Sequence, residues 1–155
     1  MKKCVFAGSF DPFTNGHLSV VERCSMMFDE VVVALGVNPE KKCDFSVADR
    51  LKMLKLSTAR FKNVTVKYFE GYLADFMREE NAVCYVRGIR DKKDIDYEEK
   101  CFKYTSKLNP DVQMMFFNAP KNLVNVSSTL VKKLLREGKS VSKYVPAEIM
   151  PLLKL

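Results

Sequence analysis

One histidine, His17, ends the run Gly8-Ser9-Phe10-Asp11-Pro12-Phe13-Thr14-Asn15-Gly16-His17, directly after an apolar stretch that reads as a strand. A small-residue turn leaving a strand and entering a helix aims unpaired backbone N–H groups outward, which suits a phosphate, and an imidazole there adds a further donor. The turn alone leaves open a tight bend with an exposed histidine. Three other segments carry related chemistry. Asn38-Pro39-Glu40-Lys41-Lys42 and Arg87-Gly88-Ile89-Arg90 bring cations, and Ser127-Ser128-Thr129 brings three hydroxyls at a helix start. An Arg-Gly pair lets backbone approach a ligand closely while planar guanidiniums fork onto phosphate oxygens. The set holds no carboxylate pair and no nucleophile with its base, so it suits binding and polarising an anion.

Five short runs read as strands: Lys3 to Ala7, Glu30 to Gly36, Val64 to Tyr68, Ala82 to Val86 and Val112 to Phe117. Between them lie helical patterns: Leu18, Val21, Cys24 and Phe28, then Leu51, Leu54 and Leu56, then Leu73, Phe76 and Met77. A fourth helix spans Lys93 to Leu108, and a fifth runs from Ser128 to Glu137, where Gly138 makes a C-terminal stop. The alternation predicts an α/β fold, a Rossmann-like doubly wound five-stranded parallel sheet with helices on both faces. Val31-Val32-Val33-Ala34-Leu35 agrees, because a strand covered on both faces is apolar throughout. Val141 to Leu155, with Pro146 and Pro151, reads as short C-terminal helical turns packed on the body or on a partner. In such a sheet ligands bind beyond the carboxyl ends of the strands, so the loops after strands one, two, four and five should share one edge.

Length and composition set limits. At 155 residues the chain fits one domain, residues 1–155. Its 26 Lys+Arg against 19 Asp+Glu give +7, enough to attract nucleic acid, anionic lipid or a small polyanion. A nucleic-acid binder would need a basic stripe or aromatics interleaved with Lys and Arg; the cations here are scattered. Cys4, Cys24, Cys43, Cys84 and Cys101 include no C-x-x-C pair and read as reduced, mostly buried thiols of a cytoplasmic protein. The N-terminal apolar run is too short for a signal peptide and no segment has membrane-span length, so a soluble, unprocessed chain without membrane association is expected.

Alternatives stand beside several candidates. Lys41 and Lys42 lie next to Cys43 in a polar loop and could be solvated charges. The arginines could pair with Asp91, Asp94 or Asp96, and Ser127 is a normal N-cap. Asp94, Asp96, Glu98 and Glu99 could hold a metal, but carboxylates opening a helix are explained by its dipole. Met26-Met27 and Met114-Met115 read as core filling.

Together these segments resemble the bacterial phosphopantetheine adenylyltransferase family, of the nucleotidyltransferase superfamily with the (His/Thr)-x-Gly-His signature. Gly8-Ser9-Phe10-Asp11-Pro12 with Thr14-Asn15-Gly16-His17 is similar to the family's first motif and Arg87-Gly88-Ile89-Arg90 to its arginine loop. Asp96-Tyr97-Glu98 resembles its adjoining segment and Val126-Ser127-Ser128-Thr129-Leu130-Val131-Lys132 its C-terminal motif. Ser9 replaces the usual threonine, Lys132 an arginine common in the wider superfamily, and Leu123, Val124 and Asn125 lack the aromatic character of some members. Thr14 in place of a first histidine favours this family over relatives that use nicotinamide mononucleotide or a cytidylyl donor.

The resemblance implies transfer of an adenylyl group from ATP to 4′-phosphopantetheine, giving dephospho-coenzyme A and pyrophosphate. It implies catalytic roles for His17, Lys41 and Arg87. Lys41 and Arg87 would hold the acceptor phosphate, with Ser9 near the reacting groups and Leu73 beside the pantetheine arm. ATP would meet Ser9, Phe10, His17, Gly88, Ile89, Arg90, Glu98, Leu123, Val124, Asn125, Val126, Ser127, Ser128 and Thr129. It further implies Mg²⁺ held mainly by phosphates and water rather than by protein ligands, a homohexamer, and coenzyme A as a feedback ligand.

Overall fold

Alternate residues of the central strands enter two separate cores. Val31, Val33 and Leu35 pack on one face with Cys4, Phe6 and Val86, whereas Val32 and Ala34 pack on the other with Val5, Ala7 and Tyr85. A strand needed by both cores can spare no polar position, which explains the unbroken apolar run. The structure, a computed structural model, describes residues 1–155. In chain order it contains β1 (Lys3–Gly8), α1 (Asn15–Met27), β2 (Glu30–Val37), α2 (Val47–Thr58), β3 (Val64–Glu70) and α3 (Leu73–Glu79). There follow β4 (Cys84–Ile89), α4 (Lys92–Leu108), β5 (Gln113–Asn118) and α5 (Ser128–Arg136), with 3-10 turns at Lys121–Leu123 and Ala147–Leu152.

The sheet is parallel throughout, in the order β3-β2-β1-β4-β5. Helices α1, α2 and α5 supply Val20, Val21, Cys24, Met53, Leu54 and Val131 to the larger core, and Phe76, Met77 and Phe102 of α3 and α4 serve the smaller one. The expected doubly wound α/β class is what forms. Chain order reverses across β1 and β4, so a crevice opens where their carboxyl ends diverge. Ile149 of the C-terminal turn is fully buried in the larger core, so this segment packs on the body. No helix is long and apolar enough to cross a membrane.

Several expectations need correction. β4 runs to Ile89, so Arg87, Gly88 and Ile89 belong to a strand and not to the loop after it. β4 pairs with β1 over Cys4–Phe6 and with β5 as far as Asn118, and this pairing overrides the glycine that suggested a strand end. Met26 and Met27 are 75% and 54% exposed, because Val20, Val21 and Cys24 take the inner face of α1 and leave both methionines on its outer side. Leu56 also faces outward, and Met53, Ser57 and Thr58 take the inner face of α2 with Leu54. All five cysteines are free, but only Cys4 and Cys24 are buried, and Cys101 is exposed on α4.

Candidate active site

Thr14 caps α1, and the cap makes His17 part of the helix start. Thr14 Oγ1 accepts from the His17 N–H at 3.4 Å while His17 Nδ1 accepts from the Thr14 N–H at 3.0 Å, a reciprocal box with imidazole in the place of the usual Glu or Gln. An Nδ1 that accepts a backbone N–H bears no proton, so the neutral ring carries its hydrogen on Nε2. Phe13 stacks on the ring at 5.4 Å between centroids and Phe10 meets it edge-on at 5.1 Å. Phe10 reaches that position with φ of 45°, a left-handed backbone unusual for an aromatic residue.

Burial, then the charges of Arg87 and Arg90, push the His17 pKa down to about 3. The free protein therefore presents a neutral N–H donor at ordinary pH. Because the unfolded chain takes up this proton near pH 6.5 and the folded one only near 3, the histidine lowers stability as pH falls through that window. As the chain has one histidine, its ring resonances should not titrate between pH 8 and 5 in an NMR series. A midpoint near 6.5 would contradict the buried, doubly flanked environment.

Arg87 is pinned from two sides. Its Nη1 donates to Ala7 O of β1 at 2.6 Å and its Nη2 to Glu98 of α4 at 2.5 Å, with the guanidinium over the Tyr85 ring. Arg90 pairs with Asp94 at 3.1 Å and still lines the crevice. Lys41 Nζ reaches back from the β2–α2 loop to donate to Ser9 Oγ at 2.9 Å. Lys132 of α5 bridges Asp11 and Asp44, each at 3.0 Å. Burial opposes the Asp11 charge, yet the Asp44 and Phe45 N–H groups and Lys132 hold its carboxyl below the usual range.

The three hydroxyls at the start of α5 divide their work. Ser127 caps the helix by accepting from the Leu130 N–H, and Ser128 donates to Pro12 O at 2.7 Å, locking α5 to the first turn. Thr129 is left on the cleft wall. The N-termini of α1 and α5 thus meet beside one space, each with a partial positive charge.

Three pockets join along the crevice. The first, about 170 Å³, is lined by Val20, Ile89, Phe117, Leu123 and Val126 together with Gly16, Gly88, Arg90, Ser127 and Ser128. The central one, about 280 Å³, holds Lys41, Lys42, Arg87 and Lys132 with Ser9, Phe10 and Thr129. The third, about 360 Å³, has Leu73, Phe69, Tyr85 and Val37 on its wall. His17 stands where the first meets the second, and Ser9, Lys41 and Arg87 stand where the second meets the third. Four cations against the one carboxylate of Asp11 make the centre an anion site.

Gly88 marks a close approach, since a Cβ there would lie 2.9 Å from Val20 Cγ2. Gly88→Ala should force the α1 core to shift at a cost of about 1–3 kcal/mol, read from the urea midpoint. An unchanged midpoint would show that the contact relaxes freely.

Comparison with known proteins decides the family. The cytidylyltransferase-like family model matches residues 5–134. A phosphopantetheine adenylyltransferase from Shouchella clausii is 38% identical over 154 residues, covering 99% of this chain and 97% of that protein. Another from Clostridium botulinum is 40% identical over 154 residues, covering 99% of this chain and 94% of that one. The chain belongs to the phosphopantetheine adenylyltransferase family. The crystal structure of a proposed nicotinate-nucleotide adenylyltransferase from Vibrio parahaemolyticus superposes with a TM-score of 0.75 over 99% of this chain and 92% of that one. At 22% identity that likeness concerns the fold alone.

Membership in the phosphopantetheine adenylyltransferase family agrees with the resemblance carried by the four motifs. The cleft brings together His17, Ser9, Phe10, Lys41, Leu73, Arg87, Gly88, Ile89, Arg90, Leu123, Val126, Ser127, Ser128 and Thr129. Glu98, Val124 and Asn125 do not line it. Glu98 is instead buried behind Arg87, where a carboxylate can hold the guanidinium in place. Sequence reasoning missed Arg50, Asp11 and Tyr85. A period-2 reading of β4 could have placed Tyr85 beside Arg87 on one face, whereas nothing in the pattern around Leu51 distinguishes Arg50 from a solvated charge.

Proposed function

We propose that the chain transfers the adenylyl group of ATP to 4′-phosphopantetheine, releasing pyrophosphate and dephospho-coenzyme A in the penultimate step of coenzyme A biosynthesis. The observation that carries this reading is the row of three pockets with His17 at one junction and Lys41 and Arg87 at the other. The adenosine occupies the first pocket between Ile89, Phe117, Leu123 and Val126, and the triphosphate enters the cationic centre. The pantetheine arm lies along Leu73, Phe69 and Tyr85, with its phosphate on Lys41 and Arg87.

A phosphate oxygen of the acceptor attacks the α-phosphorus in line and pyrophosphate leaves from the opposite side. That nucleophile is already an anion, so no general base is needed, and catalysis comes from alignment and charge stabilisation. The His17 Nε2–H donates to an α-phosphate oxygen as charge builds there, and Thr129 with the α5 N-terminus takes the leaving phosphates. Glu98 acts by fixing Arg87.

Mg²⁺ would enter with the triphosphate, and the chemistry it would supply is neutralisation of charge on the phosphate oxygens. The central carboxylate, Asp11, is engaged by two N–H groups and Lys132, which suits an ion held mainly by phosphates and water. Tyr97, Cys101, Tyr104 and Leu108 form an exposed stripe on α4 at i, i+4, i+7 and i+11, with the Tyr72 ring tilted against Tyr104. Such a stripe suits contact between copies, and the homohexamer that the family resemblance implies remains part of this proposal. Five unpaired thiols fit a reducing cytoplasm. Coenzyme A, which carries the same pantetheine arm, is assigned as a feedback ligand of the acceptor pocket.

Pyrophosphate release with ATP tests the substrate: phosphopantetheine should support it, and nicotinamide mononucleotide, nicotinate mononucleotide and RNA should not. Release with a pyridine mononucleotide but not with phosphopantetheine would overturn the assignment.

A further inference from the structure

Arg50 is absent from the cleft wall, yet it is 5% exposed. A guanidinium removed from water without a carboxylate partner is costly, and here its bonds go to two carbonyls. Nε donates to Phe45 O at 3.1 Å and Nη1 to Ser9 O at 2.9 Å. Those carbonyls belong to different loops, Ser9 to the turn after β1 and Phe45 to the loop after β2 that carries Lys41. Asp11 makes the reciprocal bridge, accepting from the Asp44 N–H at 3.0 Å and the Phe45 N–H at 2.9 Å. At the outer end of the same seam the Lys41 ammonium donates to Ser9 Oγ.

Lys41 itself is exposed on a four-carbon stem in a polar loop. Left unanchored, it would have to lose loop and rotamer freedom each time an acceptor binds. We propose that Arg50 is a positioning residue for the acceptor. By holding the Ser9 and Phe45 carbonyls together it fixes the Ser9 hydroxyl that seats Lys41 where the central and acceptor pockets meet. The planar fork aims Nε and Nη1 in fixed directions from separate atoms, which suits two carbonyls of different loops better than the single point of an ammonium. Neither Ser9, Lys41 nor Phe45 lines the first pocket, so the effect belongs to the acceptor and not to the nucleotide base.

The inference rests on Lys41 as a ligand of the acceptor phosphate, and the test separates the two. In the full-length protein Arg50→Lys should raise the KM for phosphopantetheine about tenfold or more, with the KM for ATP and kcat within about threefold. In a Lys41→Met background the same change should add nothing, because its route is already cut. An unchanged acceptor KM in folded Arg50→Lys, equal rises in both KM values, or additive effects would overturn the proposal. If Lys41→Met leaves acceptor KM unchanged, the site reading fails and takes the proposal with it. If Lys41→Met raises it and Arg50→Lys does not, the proposal fails alone. Should Arg50→Lys not fold, Ser9→Ala keeps both carbonyl bonds and removes only the hydroxyl. It should raise acceptor KM in the wild-type background and not in Lys41→Met, and any other pattern counts against the clamp.

Discussion

Replacing His17 with alanine is expected to lower kcat by about 10²–10³-fold while the Kd of each substrate changes by less than about threefold. The expectation follows from what the imidazole can offer. With its pKa down near 3 and Nδ1 occupied by the Thr14 N–H, the ring has one free function, an Nε2–H donor at the junction of the first two pockets. A donor that strengthens only as charge develops on the α-phosphate affects turnover and not ground-state affinity. The substitution also removes half of the α1 cap and the packing on Phe13, at a cost of about 1–2 kcal/mol. His17→Gln separates the two effects, because a glutamine at this position restores the reciprocal cap. It should recover stability and leave kcat depressed by about tenfold or more. A His17→Ala protein with wild-type kcat would remove the histidine from the chemistry.

Arg87→Ala should act on binding and on stability together. Loss of the guanidinium strips the central pocket of its most firmly fixed cation, and calorimetry should show phosphopantetheine affinity falling by at least about a hundredfold. The same change leaves Glu98, 9% exposed, without its partner. Leaving a buried charge uncompensated costs about 3 kcal/mol or more, visible as a lower unfolding midpoint. Arg87→Ala with Glu98→Gln should regain much of that stability and none of the affinity. If both properties return, Arg87 serves the fold; if affinity never falls, the acceptor phosphate is held elsewhere.

The fold was legible because β2 is apolar without a break from Val31 to Leu35 and apolar residues recur at helical spacing between the strands. The first turn and the Ser127-Ser128-Thr129 helix start were legible for a similar reason: glycine, hydroxyl and N-cap chemistry is local, so spacing alone shows it. What escaped the sequence is non-local. Ending β4 at Val86 was reasonable beside a glycine, but pairing with β5 carries the strand on to Ile89. The pairing of Glu98 with Arg87 escaped as well, because the two lie eleven residues apart across a strand end. Arg50 carries no signal in the sequence, and only its bonds to the carbonyls of two distant loops make it internal. Met26 and Met27 looked like core and are surface, because apolar character outweighed their place off the Val20, Val21 and Cys24 face of α1.

The most direct test of the account is stereochemical. The protein is given phosphopantetheine and one diastereomer of adenosine 5′-O-(1-thiotriphosphate), and the configuration at phosphorus in the adenylylated product is determined. Direct in-line attack by the acceptor phosphate, with His17 as donor and no covalent step, predicts a thio-analogue of dephospho-coenzyme A with inverted configuration. Retention at phosphorus, or no adenylylated phosphopantetheine at all, would contradict it.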